Sequence, residues 1–159
     1  MKPNETLKVV VSLAVPLLAG LAGSLATRQA IPTWYAGLAK PSFSPPNWLF
    51  GPAWTVLYIL MGLAAYLVWR RGLAAAGVKP ALAVFLVQLA LNLAWSFLFF
   101  GLRSPLAGLV EIAVLWCAIA ISIVLFFRVS TAAGILMLPY IGWVSFASVL
   151  NAAIWSLNR

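Results

Sequence analysis

The feature that most constrains this chain is a succession of five apolar runs, each about as long as a bilayer is thick, with little sequence between them. A hydrocarbon core of about 30 Å takes roughly 20 residues of helix. Leu7–Ala26, Trp48–Trp69, Pro80–Gly101, Pro105–Phe127 and Thr131–Trp155 each supply that length. The runs are continuously apolar and do not alternate in strand-like segments of about ten residues, so helices are expected and a transmembrane barrel is not. Of the 159 residues, 65% are hydrophobic and only 8% are charged, which leaves too little polar surface to cover a water-soluble domain. The expectation is an all-α, multi-pass integral membrane bundle, a single domain over residues 1–159 with no soluble catalytic or regulatory part. The first run leads straight into the next without a cleavage-site pattern, so it reads as a retained span.

The residues that are missing narrow the chemistry. With no histidine, a Ser-His-Asp triad, a His-ligated metal and a His-ligated haem are excluded, and no metal site is expected. Cys117 stands alone and cannot form an internal disulfide. Glu5 and Glu111 are the only acids, so no carboxylate pair is available for acid–base catalysis. Glu111 is the one acid inside a span, where an ionised carboxylate without a partner is costly. It is expected either to be protonated or to reach Arg103 or another helix near the membrane surface, as a structural hydrogen bond; the alternative is a proton or ligand contact.

The formal charge of +8 comes from basic residues scattered at span ends, not gathered in a patch suited to nucleic acid. Lys2, Lys8, Arg70, Arg71, Lys79 and Arg128 fall on one side of the five-span arrangement. Arg28, Lys40, Arg103 and Arg159 fall on the other. That asymmetry predicts a cytoplasmic N terminus and an outward-facing long connector. The connectors around residues 70–79, 102–104 and 128–130 are short, which predicts that successive helices are antiparallel neighbours.

The connector 27–47 is different. Its core reads IPTWYAGLAKPSFS from Ile31 to Ser44 and runs on into PPNWLFGPAWTVLY. It is aromatic and proline-rich where a plain linker would be polar. Pro41, Pro45 and Pro46 restrict its backbone, so it can hold a shape with less ordering entropy to lose. Such a segment suits a lid, with Trp34 and Tyr35 as lid residues and Trp54, about one helical turn into the next span, on the floor beneath.

Three spans present matching inward faces. Trp54, Tyr58 and Met61 share one face of the second; Gln88, Asn92, Trp95 and Phe99 share one of the third; Tyr140, Trp143, Ala147 and Asn151 share one of the fifth, all at spacings of three or four. Amides and indoles on such faces can join helices by bonding across the bundle, or they can line a pocket for a flat apolar ligand. The depth of Trp54, Trp95 and Trp143 favours the pocket. Trp48, Trp69 and Trp155 lie near span ends and read as interfacial belts. On the first span, Ser12, Pro16, Gly20, Gly23 and Thr27 form a small stripe read as a packing face. Ala83, Ala90 and Ala94 on the third offer a face for a homodimer.

Taken in order, WYAGLAKPSFSPPNWLFGPAWTVLYILMG, QLALNLAWSFLFFG and PYIGWVSFASVLN resemble the successive signatures of the translocator protein family, which includes the tryptophan-rich sensory proteins and the peripheral-type benzodiazepine receptors. The resemblance runs from Trp34 to Asn151, and a bacterial member is the expected source. It implies a five-helix membrane protein, often a homodimer, with one cavity roofed by the first loop. The ligands it implies are tetrapyrroles such as protoporphyrin IX, with sterols and synthetic isoquinoline or benzodiazepine ligands bound by some members. Positions matching the family's pocket are Trp34, Tyr35, Trp54, Tyr58, Asn92, Trp95, Trp143 and Ala147. No cofactor is required; porphyrin enters as a ligand, with Arg28 or Lys40 placed for its carboxylates.

Trp54 and Trp143 match tryptophans through which some bacterial relatives degrade porphyrin in light, so a photochemical enzyme is the alternative to a receptor or sensor. A tetrapyrrole transporter is a further alternative, although no charged coupling chain or broken-helix pair is evident. The terminal VLNAAIWSLNR carries Arg159 but lacks the tyrosine of the sterol motif proposed for animal members.

Overall fold

A computed structural model describes residues 3–159. Helix α1 covers Pro3–Ala30, α2 Phe50–Trp69, α3 Val78–Ser96, α4 Pro105–Val129 and α5 Thr131–Leu157. All five helical segments are long and apolar enough to cross a membrane, and among the described residues there is no strand. The expected all-α membrane bundle is therefore what the chain forms. Helices α1, α4 and α5 overrun their apolar runs by a few residues, whereas α2 begins two residues after Trp48 and α3 passes into a different turn after Ser96. The connector accordingly begins at Ile31, since residues 27–30 continue α1.

Local chemistry explains the helix limits. Ser104 and Ser130 cap α4 and α5 by accepting hydrogen bonds from the N–H groups of Ala107 and Ala133, and Pro105 begins α4 where a missing N–H costs nothing. The chain leaves α3 through a π-helical turn, Phe97–Gly101, and then reverses at Arg103, whose φ of 54° lies in the left-handed region. Reversal within so few residues demands such a conformation.

The helices form a closed ring in the order α1, α2, α5, α4, α3. This corrects one expectation from connector length: α2 and α3 are consecutive but are not ring neighbours and touch only lightly across the interior. The short connector between them turns at Gly72 and Gly77, with φ of 92° and 82°. These conformations are open to glycine, and they let the chain cross the end of the bundle.

Basic residues at the two ends follow the expected partition. Lys8, Arg70, Arg71, Lys79 and Arg128 lie at the end away from the connector, and Arg28, Lys40, Arg103 and Arg159 lie at the connector end. Lys2 falls outside the described residues. Glu5 accepts from Lys8 at 2.8 Å and from the Tyr66 hydroxyl at 3.3 Å, joining the start of α1 to the end of α2.

Packing differs between the two halves. Away from the connector the bundle is solid: Met61, Ala64, Val68, Val78, Ala81, Ile119, Phe126, Ala133 and Met137 are all completely buried. Gly62 makes this possible on α2, because a Cβ there would sit 2.8 Å from the Ser12 carbonyl oxygen and 2.9 Å from Leu13 Cα. Toward the connector the bundle is hollow. At the boundary a hydrogen-bonded chain crosses the ring. The Tyr58 hydroxyl donates to Asn92 Oδ1 at 2.7 Å, and Asn92 Nδ2 donates to the Tyr140 hydroxyl at 3.2 Å. That hydroxyl in turn donates to Gln88 Oε1 at 2.9 Å. Gln88 Nε2 ends the chain on Met61 Sδ, 3.9 Å away.

Glu111 departs from expectation. It is only 8% exposed, yet neither carboxylate oxygen has a hydrogen-bond partner among the described residues, and Arg103 sits exposed in its turn without reaching it. Lys8–Glu5 is the one ion pair among the described residues. Glu111 lies about two turns into α4, beyond the reach of a guanidinium held in the preceding reverse turn. The structure offers it neither the expected ion pair nor the expected hydrogen bond.

Two outcomes test this packing. Gly62→Ala forces backbone apart and should cost about 1–3 kcal/mol, read as a fall of several degrees in the melting temperature of the detergent-solubilised protein. Gly142→Ala adds its methyl where, among the described residues, nothing beyond its own stretch of helix lies within 4 Å, and it should leave melting unchanged or raised; equal losses in the two variants would contradict the α1–α2 contact. Tyr140→Phe strands Gln88 Oε1 and Asn92 Nδ2 in the bundle interior and should cost about 1–3 kcal/mol. An unchanged melting temperature would show that the chain does not brace the ring.

Candidate functional site

The hollow half encloses a cavity of about 450 Å³ between α1, α2, α3 and α5. Its position follows from helix phase. Trp54 and Tyr58 near the start of α2, Asn92 and Trp95 near the end of α3, and Trp143 and Ala147 on α5 all line it. The spacings of three and four do bring these residues together. Gln88, Met61 and Tyr140 belong to the same inward faces but lie below the cavity, completely buried. The floor is therefore the Tyr58–Asn92 pair, held from beneath by Tyr140 and Gln88.

The walls are stacked rings. Trp95 stacks on Phe99 at 5.1 Å between centroids, and Trp54 stacks on Tyr58 at 5.5 Å. Phe50 meets Trp143 edge-on at 6.1 Å. Trp143 also borders a groove on the outer surface between α2 and α5, lined by Val56 and Pro139, so its indole separates the cavity from the bilayer side.

The π turn accounts for two residues that sequence reading did not place fully. Its extra residue changes the helical phase, and both Phe99 and Phe100 line the cavity. Phe99 was on the expected face of α3; Phe100 was not.

The connector closes the top. Tyr35 lines the cavity from a short 3-10 turn, Tyr35–Gly37, and packs on Phe99 and Phe100 at 6.3 and 5.6 Å. Burial raises the Tyr35 phenol above its ordinary value. Lys40 lies over the Tyr35 ring at 4.7 Å and donates to the Ala36 and Leu38 carbonyls. Trp34 is placed differently from its neighbour: it does not line the cavity but meets Phe99 edge-on at 5.6 Å from outside. Adjacent residues in a tight turn point in different directions, and one of the two aromatics had to face away.

Helix α1 supplies a wall that sequence reading assigned to packing alone. Leu17, Gly20, Gly23, Ser24 and Thr27 line the cavity. Gly20 also packs on the Tyr58 ring, which a Cβ would overlap, and Gly23 lies against Ser96. A small-residue stripe looks the same in sequence whether a helix or a void lies opposite, so only the third dimension separates the two uses.

Hydrogen-bonding capacity inside the cavity is limited and oriented. Asn92 has one N–H and one lone pair left after binding Tyr140 and Tyr58. The Trp95 indole N–H is taken by Asn151 Oδ1 at 3.2 Å, and Asn151 Nδ2 donates to the Pro105 carbonyl. The indole N–H groups of Trp54 and Trp143 bond to no protein group among the described residues. No group of His, Cys, Asp and Glu side chains that could hold a metal occurs among those residues. What the cavity offers is aromatic faces with a few fixed donors, which is the make-up of a binding site for flat, largely apolar molecules.

Comparison with known proteins agrees with this architecture. Residues 12–156 match the sequence model of the TspO/MBR family. The tryptophan-rich protein TspO of Archaeoglobus fulgidus is 52% identical, over 96% of this chain and 97% of its own length. That of Chlorobaculum tepidum is 45% identical over 98% of each. The human translocator protein is 42% identical over 79% of this chain and 75% of its own length. The family match reaches into all five spans and takes in the connector and every residue of the cavity wall, and the chain belongs to the TspO/MBR family of membrane proteins.

Proposed function

We propose that this membrane protein is a receptor that binds tetrapyrroles of the protoporphyrin IX kind, and other flat lipophilic molecules, in the cavity beneath the connector, and so helps to regulate porphyrin level or a stress response. The observation that carries the reading is the cavity itself. About 450 Å³ is enclosed by the rings of Trp54, Trp95, Trp143 and Tyr35, with the Asn92 amide as a fixed polar point on the floor. Rings of this kind stack on a planar macrocycle. Asn92 suits a polar edge, because its remaining N–H and lone pair are held in place by Tyr58 and Tyr140. Arg28 is exposed at the end of α1, and a ligand carboxylate at the membrane surface would find its opposite charge there. The sensory and translocator names borne by relatives fit a receptor-like role.

One observation favours the photochemical alternative enough to test it. Trp54 is stacked on Tyr58 at the cavity wall, so two oxidisable rings in contact would face a bound porphyrin.

Titrating the full chain in nanodiscs with protoporphyrin IX, followed by tryptophan fluorescence, should give saturable quenching. Trp54→Phe and Trp143→Phe should each weaken affinity by about two- to tenfold, the scale of one aromatic contact. Saturable quenching that both variants leave untouched would place the ligand elsewhere. Under illumination, the receptor reading predicts porphyrin absorbance that decays no faster than with an unrelated porphyrin-binding protein. Faster bleaching that Trp54→Phe suppresses would make the chain an enzyme.

A further inference from the structure

We propose that Asn158, at the C-terminal end of α5, is the catch that holds the connector closed over the cavity, and so acts as a positioning residue for the lid. Most of what fixes the connector to the bundle is aromatic. Tyr35 packs on Phe99 and Phe100, and Phe43 meets Phe146 edge-on at 6.4 Å. Such contacts have little directionality and tolerate sliding. The polar side chains of the connector bond locally: Thr33 to the Gln29 carbonyl at the end of α1, and Lys40 to carbonyls of its own turn.

Asn158 is the exception. Its Oδ1 accepts from the Ala39 N–H at 3.0 Å, and its Nδ2 donates to the Ala39 carbonyl at 2.9 Å. The same Nδ2 donates to the Ile154 carbonyl at 2.7 Å, which anchors the carboxamide on the last turn of α5. One side chain thus pairs with both backbone groups of a single connector residue, as an adjacent strand would. Among the described residues these are the only two side-chain hydrogen bonds that join residues 31–46 to any part of the bundle other than α1.

The residue type matters. Only a carboxamide presents an acceptor and a donor side by side at this reach. A carboxylate would keep the bond from the Ala39 N–H but would set a negative oxygen against the Ala39 and Ile154 carbonyls. The position matters as well. Helix α5 also carries Trp143, Ala147 and Ile154 of the cavity wall, and Asn158 is the residue that caps its C-terminal end. The catch itself stands on the apo geometry; only its effect on ligand exchange rests on the porphyrin reading above.

The test is hydrogen exchange on the full chain in nanodiscs without ligand. Asn158→Ala should speed exchange of the Ala39 amide and its connector neighbours by about tenfold, the scale of losing two exposed hydrogen bonds, while amides in the middle of α5 stay as slow as before. Asn158→Asp should also speed it, and Asn158→Gln should restore part of the protection. Unchanged exchange at Ala39 in the alanine and aspartate variants would overturn the proposal, as would acceleration spread equally into α5, which would mean general loosening. With protoporphyrin IX present, the alanine variant should show association and dissociation both faster by a similar factor. Faster exchange at Ala39 together with no porphyrin binding by either protein would leave the catch standing and remove the porphyrin reading.

Discussion

Hydrocarbon offers polar groups no partner, so the amides and phenols at the centre of the ring satisfy one another. The Tyr58–Asn92–Tyr140–Gln88 chain meets that demand by bridging α2, α3 and α5 through the ring's interior. Because α2 and α3 are not packed side by side, the hydrogen bonds are what join them at this depth. Below the chain the bundle closes on small and aliphatic side chains. Above it, the bulk of Trp54, Trp95 and Trp143 holds the helices apart. The cavity and its floor are thus two consequences of one arrangement, and Asn92 belongs to both.

The same constraint shows how much was legible in the sequence. Helix existence and count followed from run length, since a bilayer sets the length a span must have. The inward faces of α2, α3 and α5 followed from the period of a helix, because an amide among apolar residues has to face inward. Six of the eight expected site residues, Trp54, Tyr58, Asn92, Trp95, Trp143 and Ala147, come from those faces, and all six line the cavity together with Tyr35.

What stayed hidden is what periodicity does not encode. Ring order depends on how connectors cross the bundle ends, so the separation of α2 from α3 could not be read from an eight-residue link. The role of Gly20, Gly23 and Ser24 depended on what lay opposite α1. The phase change that brings Phe100 to the cavity arises in a π turn with no strong sequence mark. The different fates of Trp34 and Tyr35 are decided within a single turn of the connector. Asn158 was invisible for another reason: its partner is the backbone of a residue 119 positions away.

These features combine into an account of a membrane receptor whose cavity is preformed and roofed, with stacked aromatic walls and a polar point locked from below. If a flat tetrapyrrole occupies that cavity, a structure of the full chain with protoporphyrin IX will show it there. The prediction is a macrocycle lying among Trp54, Trp95 and Trp143, above the Tyr58–Asn92 pair and beneath Tyr35. A macrocycle on the outer surface, whether in the groove between α2 and α5 or above the connector, would contradict the account while leaving the fold intact.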